Sequence, residues 1–172
     1  MNQTLSYKWT ASPIGNLKLV ASDEGLVAVL WEQERPGRVV LTNLRETPTQ
    51  PILRQAEKEL EEYFSGTRDV FTVPLDMRGT PFQKQVWKRL LAIPFGETRT
   101  YGQLAEQLGN TRATRAVGAA NGRNPIAILV PCHRVIGASG KLTGFAGGLR
   151  AKERLLQLEG IWNSLFCDSV RT

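Results

Sequence analysis

The chain reads as an α+β protein: a small antiparallel sheet with one helix, then a mainly helical half containing a helix-turn-helix. Three observations predict this. Short apolar runs separated by turn residues fill the first 31 positions, whereas from Pro51 onward apolar residues recur at helical spacing. The charge also divides: residues 1–80 hold 9 Lys/Arg against 11 Asp/Glu, and residues 81–172 hold 13 against 5. These balances of −2 and +8 make up the formal net charge of +6. A basic half beside a slightly acidic one fits a protein whose second half meets a polyanion, and equally a merely soluble basic surface.

Taken in order, Leu5 to Ala11, Leu17 to Ser22 and Leu26 to Trp31 are expected strands. The segments between them, Ser12-Pro13-Ile14-Gly15-Asn16 and Asp23-Glu24-Gly25, carry turn chemistry, so an antiparallel meander follows. In the second strand Leu17, Leu19 and Ala21 alternate with Lys18 and Val20, the pattern of a half-buried strand. Residues 34–50 read as a loop. Pro51 opens a helix whose apolar face is Ile52, Leu53, Ala56, Leu60, Tyr63 and Phe64, and Gly66 closes it. Val70 to Leu75 is a candidate further strand. The expected organisation is an α+β scaffold over 1–76, a linker at 77–80, a domain over 81–160 and a tail from 161 to 172.

In the second half, Thr80-Pro81 begins a helix that buries Phe82, Val86, Leu90 and Leu91 and ends before Pro94. Two short helices follow, Tyr101 to Leu108 and Ala113 to Asn121, joined through Gly109-Asn110 in the manner of a helix-turn-helix. A last helix spans Leu149 to Leu158.

With 41% hydrophobic and 22% charged residues the composition is that of a globular protein. No apolar run approaches a membrane span and MNQTLSYKWT lacks a signal-peptide core, so a cytoplasmic protein with no membrane partner is expected. Two cysteines and one histidine supply neither a disulfide framework nor a zinc ligand set, so no metal is expected.

The chemistry concentrates at residues 126–136, IAILVPCHRVI. An apolar run delivers Cys132 beside His133 and Arg134. A nucleophilic cysteine needs such a setting, because the thiolate is the reactive form and nearby positive charge or a base favours it. A structural cysteine, buried as a small hydrophobe, is equally compatible with this composition.

Beyond composition, the chain resembles the O6-alkylguanine-DNA alkyltransferases in their short bacterial form. The resemblance runs from about Leu5 to Gly160. It is carried by GTPFQKQVWK, IPFGETRTYGQLAEQLG, RAVGAANGRNPIAILVPCHRVIG and GKLTGFAGGLRAKERLLQLEG, in that order. It implies a ribonuclease-H-like first domain. It also implies direct-reversal DNA repair: one irreversible transfer of an alkyl group from O6-alkylguanine, and from O4-alkylthymine, with no cofactor.

Carried over residue by residue, Cys132 corresponds to the alkyl acceptor. His133 corresponds to the base that reaches the thiol through a water, and Glu159 to the carboxylate that orients the imidazole. Asn124 matches the residue that fixes the active-site turn. Tyr101 matches a tyrosine that crowds the target phosphate and donates toward guanine N3, easing departure of an anionic base. Arg115 resembles the arginine that fills the space left by an extruded nucleotide. Around it Ala116, Gly118, Ala119, Arg123 and Arg134 are expected on the DNA-binding surface. Phe145, Ala146 and Gly147, with Val135, correspond to the base pocket; many relatives have tyrosine where Phe145 stands.

The implied partner is double-stranded DNA carrying the lesion, bound in the minor groove by a monomer, with cooperation along DNA left open. Two other functions are distinguishable. A damage-recognition module without chemistry would lack the acceptor, which Cys132 supplies. A cysteine hydrolase or redox enzyme would turn over repeatedly or use a resolving thiol, for which Cys167 in the polar tail is a poor candidate.

Overall fold

The structure is a computed structural model that describes residues 3–161. It divides into two compact units. The first runs to Arg78 and takes in Pro125–Ala127; the second comprises Gly79–Asn124 and continues from Ile128.

In the first unit, strands β1 (Leu5–Thr10), β2 (Leu17–Ala21) and β3 (Leu26–Trp31) form the expected antiparallel meander. A fourth strand, β4 (Leu44–Glu46), pairs parallel to β1, giving the order β3-β2-β1-β4. Only three residues long and preceded by Asn43 at φ 60°, β4 has too short a pattern to stand out from its polar loop. Helix α1 (Pro51–Phe64) lies on one face and buries Leu53, Ala56, Leu60 and Tyr63. Gln50 caps it by accepting from the Leu53 N–H at 2.9 Å.

Two expectations are corrected here. The second strand is not half-buried: Val20 is buried too, in a cluster with Leu5, Val27, Ala28 and Leu30. Val39, Leu41 and Leu44 pack on that cluster, so the polar-looking segment after β3 covers the sheet's second face. Nor is Val70 to Leu75 a strand. The buried Glu59 carboxylate of α1 takes the backbone N–H groups of Thr72 and Val73 and the Thr72 hydroxyl. These donors are therefore lost to a sheet ladder, and only Leu75 bridges to Leu26. Burial pushes the Glu59 pKa up, but these hydrogen bonds outweigh it and hold the group below its ordinary value.

Pro125–Ala127 belongs to this unit because β3 takes it up as a further pairing. The Val29 N–H donates to the Pro125 carbonyl at 2.9 Å, and Ile126 bridges in parallel to Val29.

The second unit begins with α2 (Pro81–Leu91), held at its start by a capping box between Thr80 and Gln83. Trp87 of α2 is buried and donates its indole N–H to the Ala120 carbonyl at 2.9 Å. A two-residue strand β5 (Arg99–Thr100) leads into α3 (Tyr101–Gln107), again with a capping box, Thr100 to Gln103. After Gly109 at φ 78° and a 3₁₀ turn at Thr111–Ala113 comes α4 (Thr114–Gly122), packed on α2 and α3. The predicted helix-turn-helix is therefore present as α3–α4. A second 3₁₀ turn, Cys132–Arg134, feeds β6 (Val135–Ile136), which pairs parallel to β5. Helix α5 (Leu149–Leu158) is the last described element of the unit, starting after Gly148 at φ 89°. Among the described residues no helix is long and apolar enough to cross a membrane.

Candidate active site

Cys132 stands at the start of its 3₁₀ turn and is 5% exposed. The approach to it is fixed by backbone and side chain together. Its own N–H donates to the Val130 carbonyl at 2.8 Å, and the buried Asn124 donates its side-chain N–H to the same carbonyl at 2.8 Å. Ile128, four residues ahead, sits at φ 73°, a conformation that disfavours a β-branched residue and persists only where its surroundings impose it.

Next to the thiol, His133 is fully buried. Its Nε2 lies 2.9 Å from Glu159 Oε1 at the end of α5. Since a carboxylate only accepts, Nε2 carries the proton and Nδ1 is left as the acceptor nitrogen. Nδ1 is buried and, among the described residues, has no hydrogen-bond partner. Burial lowers the His133 pKa, against the raising effect of Glu159, so the ring is neutral near pH 7 and available as a base.

Glu159 is itself buried and serves two groups. Besides the imidazole it accepts from Arg134 through Nε at 2.9 Å and Nη2 at 2.8 Å, while Arg134 Nη1 donates to the Ile93 carbonyl at 2.6 Å. Burial pushes the Glu159 pKa up, but the hydrogen bonds from His133 and Arg134 and the positive charge of Arg134 reverse this and hold it at about 2. Arg134 was expected on the DNA-binding surface, and this is corrected. Its side chain is spent on Glu159, on Ile93 and against the Phe95 ring, and the residue is only 6% exposed.

On another side, Tyr101 at the start of α3 is half-buried, with its hydroxyl 2.8 Å from Thr143 Oγ1. Burial raises its pKa, so at neutral pH it is a phenol that can donate. Lys152 of α5 is buried and donates to the Val135 carbonyl at 2.6 Å and to the Thr143 carbonyl at 3.4 Å. Its ammonium is 5.9 Å from the Phe145 ring centre. Thr143 and Lys152 were not anticipated from sequence. The available signal was helical spacing, since Lys152 shares the buried face of α5 with Ala151, Leu155 and Leu156, where a solvated lysine does not belong.

The remaining expected residues fall on a surface or in the core. Arg115, Ala116 and Ala119 are exposed on α4, Arg123 is exposed just after it, and Gly118 faces the Tyr101 ring. Phe145 and Gly147 are half-buried and Ala146 exposed. Val135 is fully buried and committed to β6, so its side chain belongs to the core and not to an open pocket wall, a second correction. Cys167 lies outside the described residues. Among those described, no group of His, Cys, Asp and Glu is arranged to hold a metal ion.

Chemically the arrangement is a thiol beside an imidazole, with the imidazole steadied by a carboxylate that an arginine keeps ionised. Such a set can deprotonate and use a sulfur nucleophile. Comparison with known proteins shows the family. Residues 81–161 match the model of the 6-O-methylguanine DNA methyltransferase DNA-binding domain, and residues 5–77 match its ribonuclease-like domain. A methylated-DNA–protein-cysteine methyltransferase of Methanosarcina acetivorans is 52% identical over 149 residues, covering 87% of this chain and 94% of that one. The Mycobacterium tuberculosis protein of the same name is 50% identical over 157 residues, 90% of this chain and 92% of its own. Among solved structures, Mycobacterium tuberculosis OGT in complex with DNA superposes with a TM-score of 0.83 at 49% identity, covering 90% of this chain and 92% of that one. The chain therefore belongs to the 6-O-methylguanine DNA methyltransferase family, with the family's ribonuclease-like and DNA-binding domains in order.

Proposed function

We propose that this protein repairs DNA by moving the alkyl group of O6-alkylguanine onto Cys132, once per chain and without a cofactor. The observation that carries this reading is the buried His133–Glu159–Arg134 set beside Cys132 in a chain of this family. The thiol proton passes to His133 Nδ1 through a bridging water, leaving a thiolate. The thiolate forms a sulfur–carbon bond as the carbon–oxygen bond to guanine breaks, and the electron pair leaves with the base. Tyr101 donates toward guanine N3 and so stabilises the departing anion, which ends by taking up the proton released from sulfur. A thioether does not revert, which accounts for one event per chain.

The remaining assignments follow the surfaces. Exposed Arg115 enters the duplex as the target nucleotide swings out, because the reacting oxygen is unreachable within stacked pairs. Ala116, Ala119 and Arg123 face the minor groove with it, Asn124 fixes the turn before the acceptor, and Phe145, Ala146 and Gly147 frame the base. O4-alkylthymine is a second substrate. The region before residue 77 acts as a scaffold, 77–80 as linker, 81–160 carries acceptor and DNA surface, and the protein works as a cytoplasmic monomer.

The test uses a duplex with one O6-methylguanine. Wild type removes at most one methyl group per chain, and Cys132→Ala binds the duplex but removes none. Repair by the alanine variant, or many lesions cleared per chain, overturns the proposal. The second outcome would favour a turning-over cysteine enzyme.

A further inference from the structure

The Tyr101 hydroxyl has a partner of its own. It lies 2.8 Å from Thr143 Oγ1, and among the described residues neither hydroxyl makes another hydrogen bond. Two hydroxyls carry two protons, and their contact uses one of them. One O–H is therefore left to donate elsewhere, and the choice of donor within the pair decides which.

Thr143 is fixed on three sides. Its carbonyl accepts from the buried Lys152 ammonium at 3.4 Å. Its methyl rests against Gly137, where an added Cβ would stand only 3.2 Å from Cγ2. Gly137 itself belongs to a tight turn, donating to the Lys141 carbonyl at 3.1 Å and accepting from the Gly140 N–H at 2.9 Å. A β-branched side chain with its methyl seated has little freedom left at χ1, so Oγ1 is kept on Tyr101. The tyrosine is held from its other side by α4, where Gly118 leaves room for the ring: a Cβ there would lie 3.8 Å from Cδ1. The phenol oxygen is thus set between the helix-turn-helix and the segment joining β6 to α5. Both residues are half-buried.

We propose that Thr143 is a positioning residue for the alkyl transfer, its hydroxyl donating to the Tyr101 oxygen so that the Tyr101 O–H is the proton left for the departing guanine. This order puts the more acidic hydroxyl on the base. An oxygen that accepts one hydrogen bond also becomes a stronger donor in the next, so the two bonds reinforce each other as negative charge grows on the base. No proton changes owner within the pair: the Thr143 proton stays on its oxygen and the Tyr101 proton is shared toward N3. The inference rests on the repair reaction proposed above, with Tyr101 as the donor to N3.

The experiment is single-turnover methyl transfer from an O6-methylguanine duplex with protein in excess, together with duplex affinity by fluorescence anisotropy. Thr143→Val keeps the shape and removes the hydroxyl. Its rate constant at saturating protein should fall about fivefold, the worth of one neutral hydrogen bond, while duplex affinity stays within about twofold. Thr143→Ser, which keeps the hydroxyl and loses the methyl, should recover most of the rate. A threonine that only filled space would give the reverse order, and valine at wild-type speed overturns the proposal. Should valine unsettle the turn at Gly137, Thr143→Ala removes the same hydroxyl and carries the same expectation.

Two further arms separate a relay through the phenol from a general weakening. In a Tyr101→Phe background Thr143→Val should cost nothing more, because both changes break one chain of hydrogen bonds; independent, multiplying losses overturn the proposal. On 3-deaza-O6-methylguanine, where C–H replaces N3, Thr143→Val should likewise match wild type, and a retained loss there overturns it. A wild type that takes no methyl group from DNA refutes the repair assignment and this inference with it. A wild type that repairs while the valine and alanine variants keep pace refutes the inference alone.

Discussion

Replacing Glu159 by Gln removes one negative charge from a site where three side chains meet. Glu159 is 4% exposed and accepts from His133 at 2.9 Å and from two nitrogens of Arg134 at 2.9 and 2.8 Å. Loss of the charge leaves the Arg134 guanidinium buried and uncompensated, which costs about 3–5 kcal/mol. The depressed pKa of Glu159, set by the same partners, points to a similar figure. A carboxyl held at about 2, against an ordinary 4.5, contributes on the order of 3 kcal/mol at neutral pH.

Because this pKa is depressed in the folded protein, its contribution is complete above about pH 4.5 and is lost as pH falls toward 2. The assay is thermal unfolding from pH 2 to 7 for wild type and Glu159→Gln. At pH 7 the variant should melt roughly 6–20 °C lower, taking 2–4 °C per kcal/mol for a chain of this size. The gap should narrow as pH drops through the window. Repair should also slow by at least about tenfold, since the imidazole loses the carboxylate that favours its charged form. A variant melting within about 2 °C of wild type across the range would refute this account of the buried set.

Further outcomes follow from other positions. Arg115→Ala, exposed on α4, should leave the melting temperature nearly unchanged while slowing repair of duplex DNA about tenfold or more and sparing reaction with free O6-methylguanine base. Equal losses on duplex and free base would remove Arg115 from nucleotide extrusion. Arg123→Ala should weaken duplex binding and reduce the slope of log affinity against log salt by about one, as read by fluorescence anisotropy at several salt concentrations. Gly25→Ala should destabilise the first unit by about 1–3 kcal/mol in denaturant titration, because a Cβ there would meet the backbone of Leu75 and Asp76 at 2.8 Å.

Much of this was legible in the sequence, for identifiable reasons. Strong periodicity and paired turn residues gave β1 to β3, and Pro51, Gly66, Thr80-Pro81 and Gly109 punctuated the helices, so these elements stand close to where the pattern put them. What stayed hidden is what long-range partners decide. Strand β4 and the two-residue β5 and β6 exist through pairing, not through any local pattern. The stretch Val70 to Leu75 looks like a strand until Glu59, on a different element, takes its N–H groups. At the site, Cys132, His133 and Glu159 were identified through their family motif. Arg134 differs from what the resemblance implies because Glu159, on a distant helix, takes its guanidinium, and its place inside the apolar run 126–136 is the local sign of that burial. Lys152 went unnoticed as one lysine among many in a charged helix, although its spacing put it on the buried face.

The most direct test of the repair reaction is mass spectrometry of the protein after mixing with O6-methylguanine duplex. One methyl group per chain, mapped to the peptide containing Cys132, is the predicted result. Demethylated DNA with that peptide unmodified, or methyl groups mapped to another residue, would contradict it.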